Sequence, residues 1–463
     1  MIPERLQPVL DRARPLADRF VAAGHEVYLV GGIVRDMVLG KVRPDADFDL
    51  TTDARPEQTL ALLSGWADAV WTQGQAFGTI GARHGDAVFE VTTFRAEAYR
   101  EDSRKPHVVY ADKVTDDLAR RDFTVNAMAL RLPDVELVDP HDGMTDLAAG
   151  RLRTPLAPEV SFSDDPLRML RAARFTAGYG LTPDPALVAA VGSLRERLAI
   201  VSAERIRDEL SKLLVVEDPT AGLWFLADTG LSDEFLPELL AMRLEQDPIH
   251  RHKDVLAHTV AVVAKTSPRL TLRLAALLHD IGKPRTRSIG PAGVRFHHHE
   301  VVGARMAAER LRALRYPRET IDDVRRLVFL HLRFHGYGDD VWSDAAVRRY
   351  ARDAGPLLDD LNELTRCDCT TRNERKARML AARMDALEAR IAELRQREEL
   401  GAIRPDIDGN RVMEVLGVGP GPVVGEALSM LLEARLEEGP LGEAEAERRL
   451  RSWWAERGAA PQR

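Results

Sequence analysis

The chain has 463 residues, with 65 Lys and Arg against 73 Asp and Glu, so its formal net charge is −8. At roughly 100–200 residues per domain, this length predicts about three domains. A composition of 45% apolar and 30% charged residues argues against wholesale disorder. The acidic balance excludes binding of nucleic acid by bulk positive charge, although a local basic groove remains compatible with it.

Composition and pattern also favour a cytoplasmic protein with no membrane partner. Charges interrupt the apolar residues of segment 1–20, which is not typical of a signal peptide. No apolar run approaches the ~18 residues that a membrane span needs. The two cysteines, Cys367 and Cys369, are too few for a disulfide framework or a four-ligand zinc site, which fits a reducing compartment.

Strands and short helices alternate in the amino-terminal third. Residues 26–30, 47–52 and 87–94 predict strands because they are rich in β-branched and aromatic side chains. IVRDMVLG, residues 33–40, predicts a short helix after a Gly-Gly turn. From about Asp165 onward, apolar residues recur at helical spacing and strand-like segments are scarce. We therefore predict an α+β protein with an α/β head and a long helical body.

Proline, glycine and runs of charge divide the helical part into shorter segments. Proline and glycine interrupt segments 153–166, 245–253 and 401–410, which we predict to be linkers. Segment 374–400 has many charges and predicts a long exposed helix with a solvated face.

Carboxylates in the head point to metal chemistry. Asp47 and Asp49 are two apart in a predicted strand, so both side chains face the same side of the sheet. Carboxylates that close repel unless a cation lies between them, and Glu90 in another strand can join them.

A glycine turn precedes these carboxylates. Gly31 and Gly32 lead into a helix that bears Arg35 and Asp36, and glycines there let backbone N–H groups approach a phosphate. A phosphate cradle beside two divalent ions indicates in-line nucleotidyl transfer.

GGIVRDMVLG and DADFDLTT resemble the head signature of class II tRNA nucleotidyltransferases and bacterial poly(A) polymerases, which have a polymerase β-like nucleotidyltransferase head. The similarity covers most of residues 24–215. It continues through TTFR (92–95), ARRDFTVNAMAL (119–130), DPHDGMTDL (139–147), DDPLRMLRAARF (164–175) and SAERIRDEL (202–210). The resemblance implies template-independent addition of CCA to the 3′ end of tRNA from CTP and ATP, with Mg²⁺ as cofactor.

The resemblance also assigns site residues. It implies that Asp47 and Asp49 bind the catalytic Mg²⁺ ions, with Glu90 as a third catalytic carboxylate. It implies that seven further residues contact the triphosphate or the ribose or maintain the fold of the head. They are Gly31, Gly32, Arg35, Asp36, Arg121, Asp122 and Asn126.

The DDPLR segment resembles the family's base-reading element. Helical spacing predicts Asp165 and Arg168 on one face, with Arg171 and Arg174 extending it. A carboxylate accepts from the exocyclic amine of C or A, and a guanidinium donates to the ring nitrogen beside that amine. U and G present an oxygen in place of the amine. The pair would thus select C and A with no nucleic-acid template.

A second constellation resembles the HD domain of metal-dependent phosphohydrolases. The imidazole and carboxylate groups of this set suit one or two divalent ions, of unspecified identity, that would activate a water molecule. Its members are His258, His279, Asp280, His299, His331 and Asp368. Such HD domains are not all active, so phosphohydrolase activity stays open.

From the motifs and the two resemblances we predict four domains. They are a catalytic nucleotidyltransferase head (1–152), a helical neck for base and tRNA recognition (153–245), an HD domain (246–400) and a helical tail (401–463).

Alternatives remain open. They are a bacterial poly(A) polymerase, an A-only or CC-only enzyme, and an HD phosphohydrolase with an RNA-binding head. Segment 94–119 resembles the flexible loop of complete CCA-adding enzymes, which argues against CC-only addition.

Overall fold

The computed structural model describes residues 6–42, 47–98, 107–244, 254–290, 293–334, 342–369, 373–398 and 403–459. The chain divides into two compact units, Met1–Pro237 and Glu238–Arg463. No helix among these residues is both long and apolar enough to cross a bilayer.

The first unit contains a mixed sheet and then helices. Its strands are β1 (Val27–Val30), β2 (Phe48–Thr52), β3 (Ala69–Trp71), β4 (Thr79–His84), β5 (Ala87–Thr93), β6 (Arg95–Ala98), β7 (His107–Tyr110), β8 (Ala129–Leu132), β9 (Glu136–Val138), β10 (Arg151–Leu152) and β11 (Thr182–Pro183). Its helices are α1 (Gln7–Ala22), α2 (Gly32–Leu39), α3 (Pro56–Leu63), α4 (Val114–Ala119), α5 (Gly143–Ala148), α6 (Pro158–Asp164), α7 (Leu167–Tyr179), α8 (Pro185–Leu194), α9 (Ala203–Leu214) and α10 (Thr220–Asp228).

Seven strands form the sheet of the head in the order β3-β4-β5-β2-β1-β8-β9. The β2–β5 pair is parallel, and the others are antiparallel. All four residues of β1 are buried, because this strand lies inside the sheet and bears only apolar side chains and Tyr28. The three strands predicted from sequence correspond to β1, β2 and β5.

The predicted shared helix face of Asp165 and Arg168 is wrong. Helix α6 ends at Asp164 and α7 begins at Leu167, and Asp165 has an extended backbone with φ −137° and ψ 99°. The reason is Pro166, whose ring disfavours the helical conformation of the preceding residue. The two side chains therefore come from a helix junction. The predicted linker 153–166 also differs, because it contains α6, which starts at a proline.

The second unit is helical apart from one hairpin, β12 (Arg287–Gly290) and β13 (Gly293–Phe296). Its helices are α11 (Pro237–Ala241, starting at the unit boundary), α12 (Val255–Lys265), α13 (Leu270–Leu278), α14 (Lys283–Thr286), α15 (His299–Ala313), α16 (Arg318–Leu330), α17 (Asp344–Ala354), α18 (Leu358–Asp368), α19 (Glu374–Arg397), α20 (Gly409–Leu416), α21 (Pro422–Glu438) and α22 (Glu443–Ala459).

Helix α19 is more buried than its charge predicts. An apolar stripe at helical spacing, Leu380, Met384, Leu387, Ile391 and Leu394, is buried, and the helix contacts α17 and α18. Only its opposite face carries the solvated charges. The predicted linker 245–253, residues 401–402 of the next linker and residues 99–106 of the predicted flexible loop lie outside the described residues.

Close helix packing in the first unit depends on Gly222. A Cβ on this residue of α10 would lie 2.5 Å from the Ala173 carbonyl oxygen and 2.5 Å from a Leu213 methyl group. We expect Gly222→Ala to lower the free energy of unfolding by about 1–3 kcal/mol through overpacking. Urea denaturation followed by circular dichroism measures this change.

Gly192 of α8 is the matched control, since a Cβ there has no neighbour within 4 Å among the described residues. Gly192→Ala should leave stability equal or raise it by up to about 1 kcal/mol, because alanine favours the helix. Equal destabilisation by both substitutions would contradict the packing argument.

Candidate active site and metal cluster

One pocket in the first unit, with a volume of about 510 Å³, brings together most of the predicted nucleotide site. The predicted residues that line it are Gly31, Gly32, Asp49, Glu90, Arg121, Asp122, Asn126, Asp165, Arg168 and Arg171. They come from the ends of β1 and β2, from β5, from the segment after α4 and from the α6–α7 junction.

Asp49 and Glu90 line one edge of this pocket, and Asp47 is not among its lining residues. Asp49 and Glu90 are directly opposite each other on the parallel strands β2 and β5, and Asp47 is exposed just before β2. Burial raises the pKa of Asp49 to about 6; Arg121 opposes this shift, and Glu90 and Asp47 add to it. Carboxylate oxygens are the ligands that Mg²⁺ prefers, and a cation would relieve their repulsion. This donor set therefore fits a Mg²⁺ site.

Gly31 allows an arginine to reach these carboxylates. Its φ is +74°, and a Cβ there would lie 2.8 Å from Nη1 of Arg121 and 4.0 Å from Oδ2 of Asp49. Any other residue at this position would be strained and would displace the guanidinium.

The buried carboxylate of Asp117 holds two arginines at the pocket. It accepts hydrogen bonds from Nε of Arg120 at 3.0 Å and from Nη2 of Arg121 at 3.3 Å. Burial by itself would raise the pKa of Asp117, but the two arginines hold it below its usual value. The Arg121 guanidinium is thereby held near Asp49, and both arginines line the pocket.

Asp122 connects the head to α7. Its carboxylate accepts from the Phe123 N–H at 2.8 Å, from Nδ2 of Asn126 at 3.1 Å and from Nη2 of Arg171 at 2.7 Å. Burial would raise the pKa of Asp122, but Arg171 and these donors hold it below its usual value.

Arg35 and Asp36 lie behind the pocket and are not among its lining residues. Arg35 is buried and donates to Oδ1 of Asn126 at 2.6 Å, to the Tyr179 hydroxyl at 2.5 Å and to Oδ1 of Asp36 at 2.9 Å. Its guanidinium also lies 4.0 Å from the centre of the Tyr179 ring. These contacts support Asn126.

Arg168 and Asp165, the two residues predicted to read the base, are held in place by different partners. Arg168 is buried and donates to Oγ of Ser161 at 2.9 Å and to the Arg120 carbonyl oxygen at 2.5 Å. Asp165 accepts from the Leu167 N–H at 3.2 Å and from Nη2 of Arg205 at 2.9 Å. Each side chain therefore faces the pocket in a fixed orientation.

Arg174 does not join this group. It forms an ion pair with Glu209 and lines a separate, smaller pocket with Tyr179 and Lys212.

The second unit contains the predicted histidine–aspartate cluster. Ligand atoms of His258, His279 and Asp280 lie within 4.8 Å of one another, and so do those of Asp280, His299 and His331. These are the two such groups found among the described residues. Asp368 completes the set, with its Oδ1 2.9 Å from Nε2 of His258.

The histidine rings are oriented as metal ligands. Nδ1 of His279, His299 and His331 donates to the carbonyl oxygen three residues earlier, at 2.7, 2.9 and 2.6 Å. Their Nε2 atoms therefore point toward Asp280, at 3.2, 3.4 and 4.0 Å.

Nε2 of His299 and of His331 is buried without a hydrogen bond to any described residue. Burial lowers the pKa of His331 to about 4, so its ring is neutral and has a lone pair to offer. This donor set fits one or two divalent transition-metal ions.

Comparison with known proteins identifies the family. The A-adding tRNA nucleotidyltransferase of Deinococcus radiodurans is 35% identical over 443 residues, which cover 92% of this chain and 95% of that protein. The chain belongs to the tRNA nucleotidyltransferase/poly(A) polymerase family. The CCA-adding enzyme of Lacticaseibacillus paracasei is 38% identical over 226 residues, or 49% of this chain and 55% of that protein.

Family models match three parts of the chain. Residues 27–153 match the poly A polymerase head domain, residues 180–242 match the "Probable RNA and SrmB- binding site of polymerase A", and residues 252–394 match the HD domain. The chain is thus a nucleotidyltransferase with a carboxyl-terminal HD domain.

Solved structures of CCA-adding enzymes share the fold. The Bacillus stearothermophilus enzyme in complex with CTP has a TM-score of 0.71 at 23% identity and covers 98% of this chain and 99% of that one. The Thermotoga maritima enzyme complexed with tRNA has a TM-score of 0.57 at 19% identity, with 96% of each chain covered.

For this nucleotidyltransferase, sequence reasoning missed several residues of the pocket. The sequence does not single out Arg95 and Arg120, which line the pocket, or the two residues that hold its arginines, Asp117 and Ser161. Asp117 had a usable signal, because it precedes Arg120 and Arg121 by three and four residues, the spacing of ion pairs along a helix. Arg205 had none, because its partner Asp165 lies 40 residues away. Ser161 lies seven residues before Arg168 but on the other side of the break between α6 and α7, so helical spacing does not predict their contact.

The HD cluster should bind divalent metal through Asp280, which belongs to both ligand groups. We expect Asp280→Asn to lower the metal content of the purified protein at least about tenfold after incubation with Mn²⁺ or Ni²⁺ and desalting, because ligand loss weakens such sites strongly. Elemental analysis by mass spectrometry measures the metal content.

His298→Ala is the control, since His298 is exposed and belongs to neither group. Equal metal retention by wild type and Asp280→Asn would show that the cluster is not a metal site.

Proposed function

We propose that the chain adds CCA to the 3′ end of tRNA, using CTP and ATP, at the pocket of the first unit. The observation that carries this proposal is the convergence of Asp49 and Glu90, the anchored arginines and the Asp165/Arg168 pair on one cavity. The names of the relatives support it, because they describe CCA-adding and A-adding enzymes.

The catalytic half of the pocket lies around Asp49. In this proposal Asp47 and Asp49, with Glu90 beside them, hold Mg²⁺, which when bound lowers the pKa of the attacking hydroxyl and neutralises charge on the pyrophosphate. Arg121 faces the same space and can donate to the triphosphate, and Asp117 fixes its orientation. Because the donors are in place before substrate binds, little reorganisation remains for the reaction itself.

The selective half of the pocket uses side chains in place of a template. The Arg168 guanidinium has five N–H groups, and its three contacts with Ser161 and Arg120 leave two for a base. In the proposal these donate to the ring nitrogen that C and A share, while Asp165 accepts from their exocyclic amine. U and G would place an acceptor against Asp165.

Addition of A alone is a second candidate, favoured by one observation. The D. radiodurans relative, which aligns over 92% of the chain, is an A-adding enzyme, whereas the CCA-adding relative of L. paracasei aligns over 49%. The HD cluster is proposed as a separate phosphohydrolase site in the second unit.

Two tRNA substrates distinguish these candidates. Full CCA addition predicts that the protein extends a tRNA that lacks all three terminal nucleotides when CTP, ATP and Mg²⁺ are supplied, and stops after three. A-only addition predicts extension by one nucleotide, and only of a tRNA that already ends in CC. Electrophoresis at single-nucleotide resolution measures both.

Asp49→Asn should lower incorporation at least about 10³-fold in this assay, because it removes a metal ligand and a charge. Long A tails would contradict both candidates in favour of poly(A) polymerase activity, and no incorporation by the wild-type protein would contradict nucleotidyl transfer to tRNA.

Arg205 offers a test of the selective half. It holds Oδ2 of Asp165, so we expect Arg205→Ala to raise the ratio of UTP to CTP incorporation by roughly tenfold, about 1.4 kcal/mol of discrimination. Single-nucleotide kinetics with each triphosphate measure this ratio as kcat/KM.

Arg207→Ala is the matched control, because Arg207 lies on the same helix and is paired with its neighbour Asp208. Loss of activity by Arg205→Ala with an unchanged nucleotide ratio would mean that Arg205 has only a structural role.

A further inference from the structure

The hairpin β12–β13 of the second unit is an exposed two-stranded ribbon. All four residues of β12 are exposed, and Ile289 near the tip has 69% of its surface open to solvent. The strands pair from Arg287 with Phe296 to Gly290 with Gly293.

The charge of this ribbon has one sign. Residues 281–299 contain one Lys, three Arg and three His, and they contain no Asp or Glu. Arg285, Arg287 and Arg295 are exposed, and none of them forms an ion pair or side-chain hydrogen bond with another residue in the described ranges.

Other arginines of the same unit behave differently. Arg349, Arg390 and Arg411 each bind at least one carboxylate. The hairpin thus differs from these three sites, because its arginines have unused donors and lie in a stretch, residues 281–299, that contains no Asp or Glu.

Both ends of the ribbon are attached to the HD cluster. Before β12, Nζ of Lys283 donates to Oδ2 of Asp280 at 2.6 Å. After β13, the Phe296 carbonyl oxygen accepts from Nδ1 of His299 at 2.9 Å. A polyanion bound to the hairpin would therefore lie next to a cluster whose donor set suits phosphate-ester chemistry.

We propose that this hairpin is a docking site for the ribose-phosphate backbone of a single RNA strand. Guanidinium groups bind phosphate oxygens through paired hydrogen bonds, and the ribbon has no carboxylate to repel them. Membership of a tRNA-processing family favours RNA over an acidic protein as the partner. The proposal goes beyond nucleotide addition and does not depend on it.

A pair of matched double variants of the full-length protein tests the proposal. Arg287→Gln/Arg295→Gln removes two charges from the hairpin. Arg305→Gln/Arg312→Gln removes two from α15, where both arginines are exposed and form no ion pair with any residue that the structure describes. The two variants have the same net charge.

The probe is a fluorescent single-stranded oligoribonucleotide of about 12 nucleotides, within the usual site size for such binding. Fluorescence anisotropy over a series of KCl concentrations gives the dissociation constant and its salt dependence. We expect the hairpin variant to bind roughly tenfold more weakly. Its slope of log affinity against log salt should fall by about 1.4, since each phosphate contact contributes about 0.7. The α15 variant should match the wild type.

Crosslinking gives a local measurement. A 4-thiouridine oligoribonucleotide, irradiated with the wild-type protein and mapped by mass spectrometry, should crosslink within residues 283–298. Equal weakening by both double variants, or crosslinks found only elsewhere, would overturn the proposal. So would competition by polyglutamate as effective as that of unlabelled RNA, which would indicate an acidic protein partner.

Assays of tRNA extension and of crosslinking with the same variants distinguish this proposal from the proposed nucleotide addition. The hairpin variant should still extend tRNA, while Asp49→Asn should keep the crosslinks at the hairpin. Loss of both properties in the hairpin variant would indicate misfolding, which circular dichroism would reveal, and the crosslinking of the wild-type protein would then decide the outcome.

Discussion

The buried carboxylate of Asp122 is the group on which the geometry of the nucleotide pocket depends. A carboxylate removed from water costs several kcal/mol unless donors replace the lost hydration, and here the donors come from its own loop and from Arg171 on α7. The contact with Arg171 that satisfies Asp122 therefore holds α7 against the edge of the head. The same contacts orient Asn126, which in turn receives Arg35.

Asp117 repeats this arrangement on the other side of the arginine pair. Between the two aspartates, Arg120 and Arg121 are bound at one edge of their guanidinium groups and face the pocket. The backbone of Arg120 also contributes, because its carbonyl oxygen accepts from Arg168. The segment 117–122 therefore reaches Asp49 through Arg121 and Arg168 through the Arg120 carbonyl oxygen. Fixed donors of this kind stabilise developing charge without reorganisation.

The net charge of −8 does not indicate which arginines can bind phosphate and which are paired with carboxylates. Many of the arginines are neutralised by carboxylates on the protein surface, and such pairs contribute little to RNA binding or to stability. In our proposals, the guanidinium groups that meet phosphate lie in the head pocket and on the hairpin, where residues 281–299 contain no Asp or Glu. The local arrangement of arginines and carboxylates therefore determines where this acidic protein can bind a polyanion.

The sequence by itself determined the α+β class, the strands around Asp49 and Glu90 and the family, because these depend on local periodicity and on motifs that keep their spacing. It also predicted most of the residues that line the head pocket. It failed at Asp165, where Pro166 breaks the predicted helix, and at α19, whose buried stripe depends on neighbouring helices. Only the tertiary structure decided that Arg35 lies behind the pocket, that Arg174 lies apart from it, and that Arg205 binds Asp165. These facts depend on which side chains meet across long stretches of chain, and folding settles such contacts by satisfying buried polar groups wherever a partner lies within reach.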